Sequence, residues 1–165
     1  MVIESSFGAG GSAGSVASHR ADAPASVRCA VLTVSDSRTP DSDTSGALIR
    51  ETLGFSGHSV VDYRIVPDEP EQIREVLAGW ITREDVQAVL SNGGTGIAAR
   101  DTTYDAISAM LEKRIDGFGE LFRMLSWQEV GAAAMLSRAV AGVAGGTLIV
   151  ALPDSAIRSV TTVAR

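Results

Sequence analysis

The residues with the most chemistry to offer lie in one stretch, Ser91-Asn92-Gly93-Gly94-Thr95-Gly96-Ile97-Ala98-Ala99-Arg100-Asp101-Thr102-Thr103. Glycine lets a backbone come within hydrogen-bonding distance of a ligand, and successive N–H groups in such a loop form a concavity suited to phosphate. Types and spacing therefore point first to an anion-binding loop. It is not a Walker A loop, because no Gly-Lys-Ser/Thr follows and the lysine that reaches the β- and γ-phosphates is missing. Gly94-x-Gly96-x-x-Ala99 satisfies the loose dinucleotide-binding pattern, with Asp116 about where an acidic ribose ligand would stand. Asp116, however, precedes Gly117 and does not end an apolar strand, and Arg100-Asp101 falls where the dinucleotide helix should already be running. A glycine-rich turn with no ligand is the remaining alternative.

Such a loop needs elements to hold it. The apolar run Val86 to Leu90 feeds straight into the glycines, and Asp101-Thr102-Thr103 opens an amphipathic segment, which reads as strand, loop and helix start. Val27 to Ser35 is a nearly continuous apolar run that suits an interior strand covered on both faces. The polar stretch Ser35 to Gly46 follows, and Asp43-Thr44-Ser45-Gly46 supplies caps for a helix around Ala47 to Leu53. Gly54 to His58 turns the chain into a second strand, Val60 to Val66. Pro67 to Glu71 then opens the clearest helix, where Ile73, Val76, Leu77, Trp80 and Ile81 form one apolar stripe. By spacing alone Asp68 is a cap at that helix start.

Beyond the loop, Ile107, Met110, Leu111 and Arg114 mark another helix, with Thr102 and Asp105 spaced as a capping box. Gly117 to Ser126 is apolar and aromatic, a further helix runs through Met135, and Thr147 to Leu152 is a strand. Phe118, Phe122 and Trp127 read as core or subunit contacts. Strands alternate with helices, which predicts an α/β fold: a three-layer α/β/α sandwich with a mostly parallel sheet and Rossmann-like topology. In such sheets ligands bind outside the carboxyl ends of the strands, where Ser35-Asp36, Asp68 and Gly93 to Gly96 can converge.

The chain of 165 residues is long enough for one domain, taken as 27–165 behind a Gly-, Ser- and Ala-rich flexible tail over 1–26. A net charge of −6 argues against a nucleic-acid surface. A phosphorylated ligand would therefore need glycine amides, selected arginines or a divalent cation. The single cysteine, Cys29, forms no intramolecular disulfide and reads as a small buried hydrophobe. His58 and His19 lie far apart in sequence, which argues against a histidine metal site. No apolar run approaches the length of a membrane span and the start does not read as a secretory signal, so the expected location is cytoplasmic, with no membrane partner.

Asn92 to Thr103 resembles the GGTG-x-x-x-RD-x-T signature of the MogA/MoaB family of molybdenum cofactor biosynthesis proteins. Further blocks follow in that family's order: Leu32 to Thr39, Asp43 to Gly46, Ile65 to Glu69, Gly117 to Arg123 and Leu136 to Gly142. The resemblance covers about residues 27–155. It implies Mg²⁺-dependent transfer of AMP from ATP to the terminal phosphate of molybdopterin, with release of pyrophosphate. The alternative is a MoaB-type molybdopterin-binding or assembly protein without significant turnover.

By the same resemblance Asp68 and Asp101 are the catalytic carboxylates and hold Mg²⁺ or the waters around it. Gly93, Gly94, Thr95 and Gly96 cradle phosphate, and Ser35, Asp36, Asp43 and Ser45 line the neighbouring wall. Ser137 and Ser155 join the binding residues. Arg100 either neutralises phosphate or pairs with a neighbouring acid. The family forms trimers, in some members paired into hexamers, to which Phe118 to Trp127 would contribute. In this chain Leu152-Pro153-Asp154-Ser155 replaces the family's usual LPGS.

Overall fold

The computed structural model describes residues 24–98 and 101–154. Most of the expected N-terminal tail, Arg100 and everything from Ser155 onward lie outside the described residues. In chain order the elements are β1 (Arg28–Val34), α1 (Thr44–Phe55), β2 (Ser59–Val66), α2 (Pro70–Ile81), β3 (Ala88–Asn92), α3 (Thr103–Met110), β4 (Lys113–Arg114), α4 (Gly117–Val130), a 3-10 segment (Gly131–Leu136), β5 (Val140–Ala144) and β6 (Thr147–Leu152).

A strand apolar at successive positions must be covered twice, and β1 is. Ala30, Leu32 and Val34 pack on one side with Ile73, Leu77 and Trp80 of α2 and Ala106 and Ile107 of α3. Cys29 and Val31 pack on the other with Ile49 and Leu53 of α1 and Phe122 of α4. Two apolar layers, one on each face of a single sheet, make the three-layer sandwich. The six strands lie in the order β2-β1-β3-β6-β5-β4. β2, β1, β3 and β6 are parallel, while β5 and β4 are antiparallel to their neighbours.

The expected helices form, with local differences. Pro70 occupies the first turn of α2, where its missing N–H costs nothing, and Glu69, not Asp68, is the cap residue. α3 stops at Met110 instead of running to Arg114, and Leu111 turns extended. Lys113-Arg114 pairs with Val143 and Gly142 instead. A Cβ on Gly142 would collide with the Lys113 carbonyl oxygen, so glycine is what lets the two chains approach. Gly145 and Gly146, at φ +56° and +81°, make the tight turn between β5 and β6. The helix expected through Met135 ends at Val130, and Gly131 (φ +59°) begins the 3-10 segment.

Candidate active site

Because four strands run parallel, the loops after Val34, Val66, Asn92 and Leu152 all leave the same edge of the sheet. From β1 the chain moves outward to β2 and then crosses back to β3 on the other side, which leaves a crevice between the carboxyl ends of β1 and β3. The glycine loop occupies it.

Two of its glycines are fixed by conformation and by space. Gly93 and Gly94 have φ of +90° and +61°, values an L side chain rarely adopts. A Cβ on Gly93 would collide with the Val34 carbonyl oxygen, and one on Gly94 with Thr103 Oγ1, while lying 2.5 Å from Asp68 Oδ2. At Gly96 the added carbon would sit 2.6 Å from Asp101 Oδ2. Asp68 and Asp101 therefore flank the loop, one against Gly94 and the other against Gly96.

Each carboxylate is held by uncharged donors. Asp68 Oδ1 accepts from the Thr102 backbone N–H (3.1 Å) and from Thr102 Oγ1 (2.7 Å). Thr102 thus spends its hydroxyl on Asp68, and the expected capping box with Asp105 does not form. Asp101 Oδ2 accepts from the Ala98 N–H at 2.7 Å. The Asp68 N–H donates to Asp36 Oδ1 at 3.2 Å, tying the β2 loop to the β1 loop. Ser35 Oγ accepts the N–H groups of Ser37 and Arg38, which shapes the same wall.

Asp43 is placed differently. It is only 2% exposed, and both its oxygens are engaged. Oδ1 caps α1 through the Gly46 N–H, and Oδ2 takes the hydroxyls of Thr33 and Tyr63, each at 2.6 Å. Burial opposes its ionisation, but these bonds and the nearby Arg38 charge outweigh that and hold the carboxyl below its usual range. Burial and the bond to Asp43 push the Tyr63 phenol up to about 12. Asn92 Nδ2 donates to Thr33 Oγ1 at 2.9 Å, so a relay of bonds runs from the end of β3 through β1 to the cap of α1.

Several buried polar atoms at this edge find no partner among the described residues: Asn92 Oδ1, Thr95 Oγ1, Thr103 Oγ1 and Ser137 Oγ. Unmade hydrogen bonds of this kind are costly and recur where a ligand supplies the missing partner. Ser137 lines a pocket of about 330 Å³ with Tyr104, Arg114, Arg123 and Arg138 and with the acids Asp116 and Glu120, a polar cavity in which charges of both signs meet. Arg38, near Asp154 at 3.8 Å, adds another cation beside the β1 loop. Asp154 itself is pushed up by burial, with Asp43 adding to the shift and the Arg38 charge and Ser45 hydroxyl opposing it.

Ser35, Asp36, Asp68, Gly93 to Gly96 and Asp101 thus gather at one edge, with Asp43 and Ser45 behind them and Ser137 in the adjoining pocket. Arg100 and Ser155 lie outside the described residues. Sequence reasoning missed Thr33, Tyr63, Arg38 and Arg138. Thr33, Arg38 and Arg138 stand in recognised blocks, whereas Tyr63 lies in none and becomes visible only through its bond to Asp43.

Comparison with known proteins gives the family and the fold. A family model described as a probable molybdopterin binding domain matches residues 30–164. The molybdenum cofactor biosynthesis protein B of Halalkalibacterium halodurans is 56% identical over 142 residues, covering 86% of this chain and 84% of that protein. Its counterpart in Escherichia coli (strain K12) is 46% identical over 128 residues, covering 78% and 75%. Among solved structures, a molybdenum cofactor biosynthesis protein B superposes with a TM-score of 0.78 at 48% identity, covering 82% of this chain and 86% of that one. The tungsten cofactor synthesizing protein MoaB from Pyrococcus furiosus superposes with a TM-score of 0.75 at 34% identity, covering 86% and 91%.

Proposed function

The chain belongs to the MogA/MoaB family, and from that premise we propose that it acts in molybdenum cofactor biosynthesis as a Mg²⁺-dependent adenylyltransferase. It moves AMP from ATP to the terminal phosphate of molybdopterin. An oxygen of that phosphate bonds to the α-phosphorus of ATP, the bond from the α-phosphorus to its bridging oxygen breaks, and pyrophosphate leaves. A phosphate monoester has a second pKa of about 6 and already carries the attacking oxyanion near pH 7, so no general base is required. The reaction needs two anions held in line and their charge neutralised.

The observation that carries this reading is the placement of Asp68 and Asp101 against alternate residues of the glycine loop. Carboxylate oxygens are hard donors of the kind Mg²⁺ prefers, and among the described residues no group of three or more His, Cys, Asp or Glu side chains could hold a metal by itself. The donor set fits an ion shared with substrate phosphates, which when bound supplies charge neutralisation at the α-phosphate and the leaving group. Gly93 to Gly96 offer close backbone approach, and Thr95 and Ser137 offer hydroxyls that have no other partner among the described residues. The direct test incubates purified protein with ATP, Mg²⁺ and molybdopterin. Adenylylated pterin and pyrophosphate are expected; retention of molybdopterin without either product would establish the binding or assembly role instead, a reading favoured by the acidic Asp154 near the crevice.

The proposed assembly is a trimer or a pair of trimers. Of the aromatic residues in this region, Phe122 is core and Phe118 packs against it, whereas Trp127 is 56% exposed alongside Leu121 and Met124 on α4. Buried against a second copy, these side chains would supply the apolar centre an interface needs. Sedimentation at micromolar concentration is expected to give a closed oligomer; a clean monomer would refute it.

A further inference from the structure

We propose that Arg138 is a positioning residue that sets the glycine loop and the Asp101 carboxylate for the reaction. This rests on the adenylyltransferase reading, since Asp101 is the group it serves. The guanidinium reaches both sides of the segment that presents Asp101. Nε donates to the Gly96 carbonyl at 2.7 Å and Nη2 to the Asp101 carbonyl at 2.6 Å. Nη1 donates to Asp105 Oδ2 at 3.1 Å, and the cation lies 4.9 Å from the centre of the Tyr104 ring.

Backbone carbonyls near an anion site repel the anion they surround. Turning those of Gly96 and Asp101 onto a fixed cation removes that repulsion and directs the opposite faces of their peptides elsewhere. The bond from the Ala98 N–H to Asp101 Oδ2 lies between the two clamped carbonyls, so the orientation of the carboxylate follows from the clamp. Arg138 also directly follows Ser137, whose buried hydroxyl lines the neighbouring pocket. One two-residue unit therefore joins the wall of that pocket to the glycine loop. Lysine cannot replace it: a single ammonium on a flexible stem lacks the planar fork that meets two carbonyls at once.

The test compares Arg138→Lys, Arg138→Ala and Asp105→Asn with wild type by amide hydrogen exchange and by steady-state kinetics. In Arg138→Lys the positive charge stays near Asp105 and Tyr104, so the melting temperature should change little. The Ala98 amide should nevertheless exchange about tenfold faster or more, while the Leu90 and Ser91 amides in β3 keep their wild-type rates. Turnover should fall about a hundredfold in kcat with the KM for ATP nearly constant, the pattern of a misplaced reacting group. Adding guanidinium to Arg138→Ala should recover part of the loss, and ammonium should not. Asp105→Asn, which keeps both carbonyl bonds, should stay within about threefold of wild type in Ala98 exchange.

Wild-type Ala98 exchange in both Arg138 variants would overturn the proposal, as would equal acceleration of Ala98 and the β3 amides, which would make Arg138 a general support of the fold. Exchange reports on the loop without turnover. A wild-type protein with no transferase activity would therefore refute the functional reading while leaving the positioning result readable.

Discussion

Asp62 and Asp68 lie on one stretch of chain, the first within β2 and the second just past its end, and the fold treats them in opposite ways. Asp62 receives the Trp80 indole N–H at 2.9 Å and the Arg83 guanidinium, with Arg64 3.9 Å away. Arg83 is held in turn by Asp85. Asp68 receives only the hydroxyl and N–H of Thr102, and among the described residues no cation pairs with it or with Asp101. A carboxylate that serves the fold is neutralised by the fold. Under the proposed mechanism Asp68, held by neutral dipoles at the crevice, keeps its charge for a cation that arrives with the substrate. The groove of about 480 Å³ beside Arg64, Trp80 and Arg83 is lined by none of the glycine-loop residues, and Arg64 and Arg83 there both face Asp62.

The comparison breaks if the two kinds of carboxylate respond alike to loss of charge. Asp101→Asn and Asp68→Asn should each lower adenylylation by about a hundredfold to a thousandfold, the scale of losing a preorganised charge at a reacting phosphate. Each amide oxygen can still accept the bonds now made from Ala98 or Thr102, so melting temperature and assembly should hold. Turnover close to wild type would remove that residue from the mechanism. A melted protein would make Asp68 a structural support of the loop through its bonds from Thr102.

Asp62→Asn should do the reverse. It leaves Arg83 short of one of its two carboxylate partners at a half-buried site and should lower the melting temperature modestly with kcat unchanged. Burial works against the Asp62 charge, but the Trp80 and Arg83 bonds outweigh it, and the carboxyl lies below its usual value. The folded protein then binds fewer protons than the unfolded chain, so this stabilisation is complete above the unfolded carboxyl pKa of about 4 and fades as pH falls through the lower folded value. Chemical denaturation from pH 6 to 3 should show a shallower acid decline in Asp62→Asn than in wild type. Parallel curves would show that Asp62 does not set the acid limb.

Most of the scaffold was legible because it is written in local periodicity. The stripe of α2 and the continuous apolar run of β1 each state which faces are covered, and the glycine loop states where the chain must bend. Gly145-Gly146 between two apolar runs is a turn signal for the β5 to β6 hairpin, although Val140 to Ala144 is not among the expected strands. β4 could not be read that way. Lys113-Arg114 has no strand pattern and pairs only because Gly142, far along the chain, permits the approach. The site shows the same division. Asp68 and Asp101 stand in blocks, but the two bonds from Thr102 to Asp68 depend on how β2 and β3 lie in the sheet, and no spacing along the chain encodes them.

The smallest expected effect concerns Asp154, where a carboxylate replaces a glycine at the end of β6. A unit charge about 6 Å from phosphate, at an effective dielectric near 20, is unfavourable by roughly 3 kcal/mol before screening. Arg38 lies 3.8 Å from Asp154 and offsets much of that, and the Asp154 side chain keeps 38% exposure, so the net penalty on ATP should be only a few-fold in affinity. Asp154→Gly should tighten ATP binding by that amount and release Arg38 toward the phosphates, with the gain shrinking as salt rises. Asp154→Asn separates the causes: a match with Gly makes charge the determinant, while a gain confined to Gly points to close backbone approach. Because burial raises the Asp154 carboxyl, wild type should begin to approach Asp154→Asn in ATP affinity at a pH above the usual carboxylate range as acid is added. Equal ATP affinity for wild type and both variants at low salt would place Asp154 away from the nucleotide, and the binding role assigned to the adjoining Ser155 would fall with it.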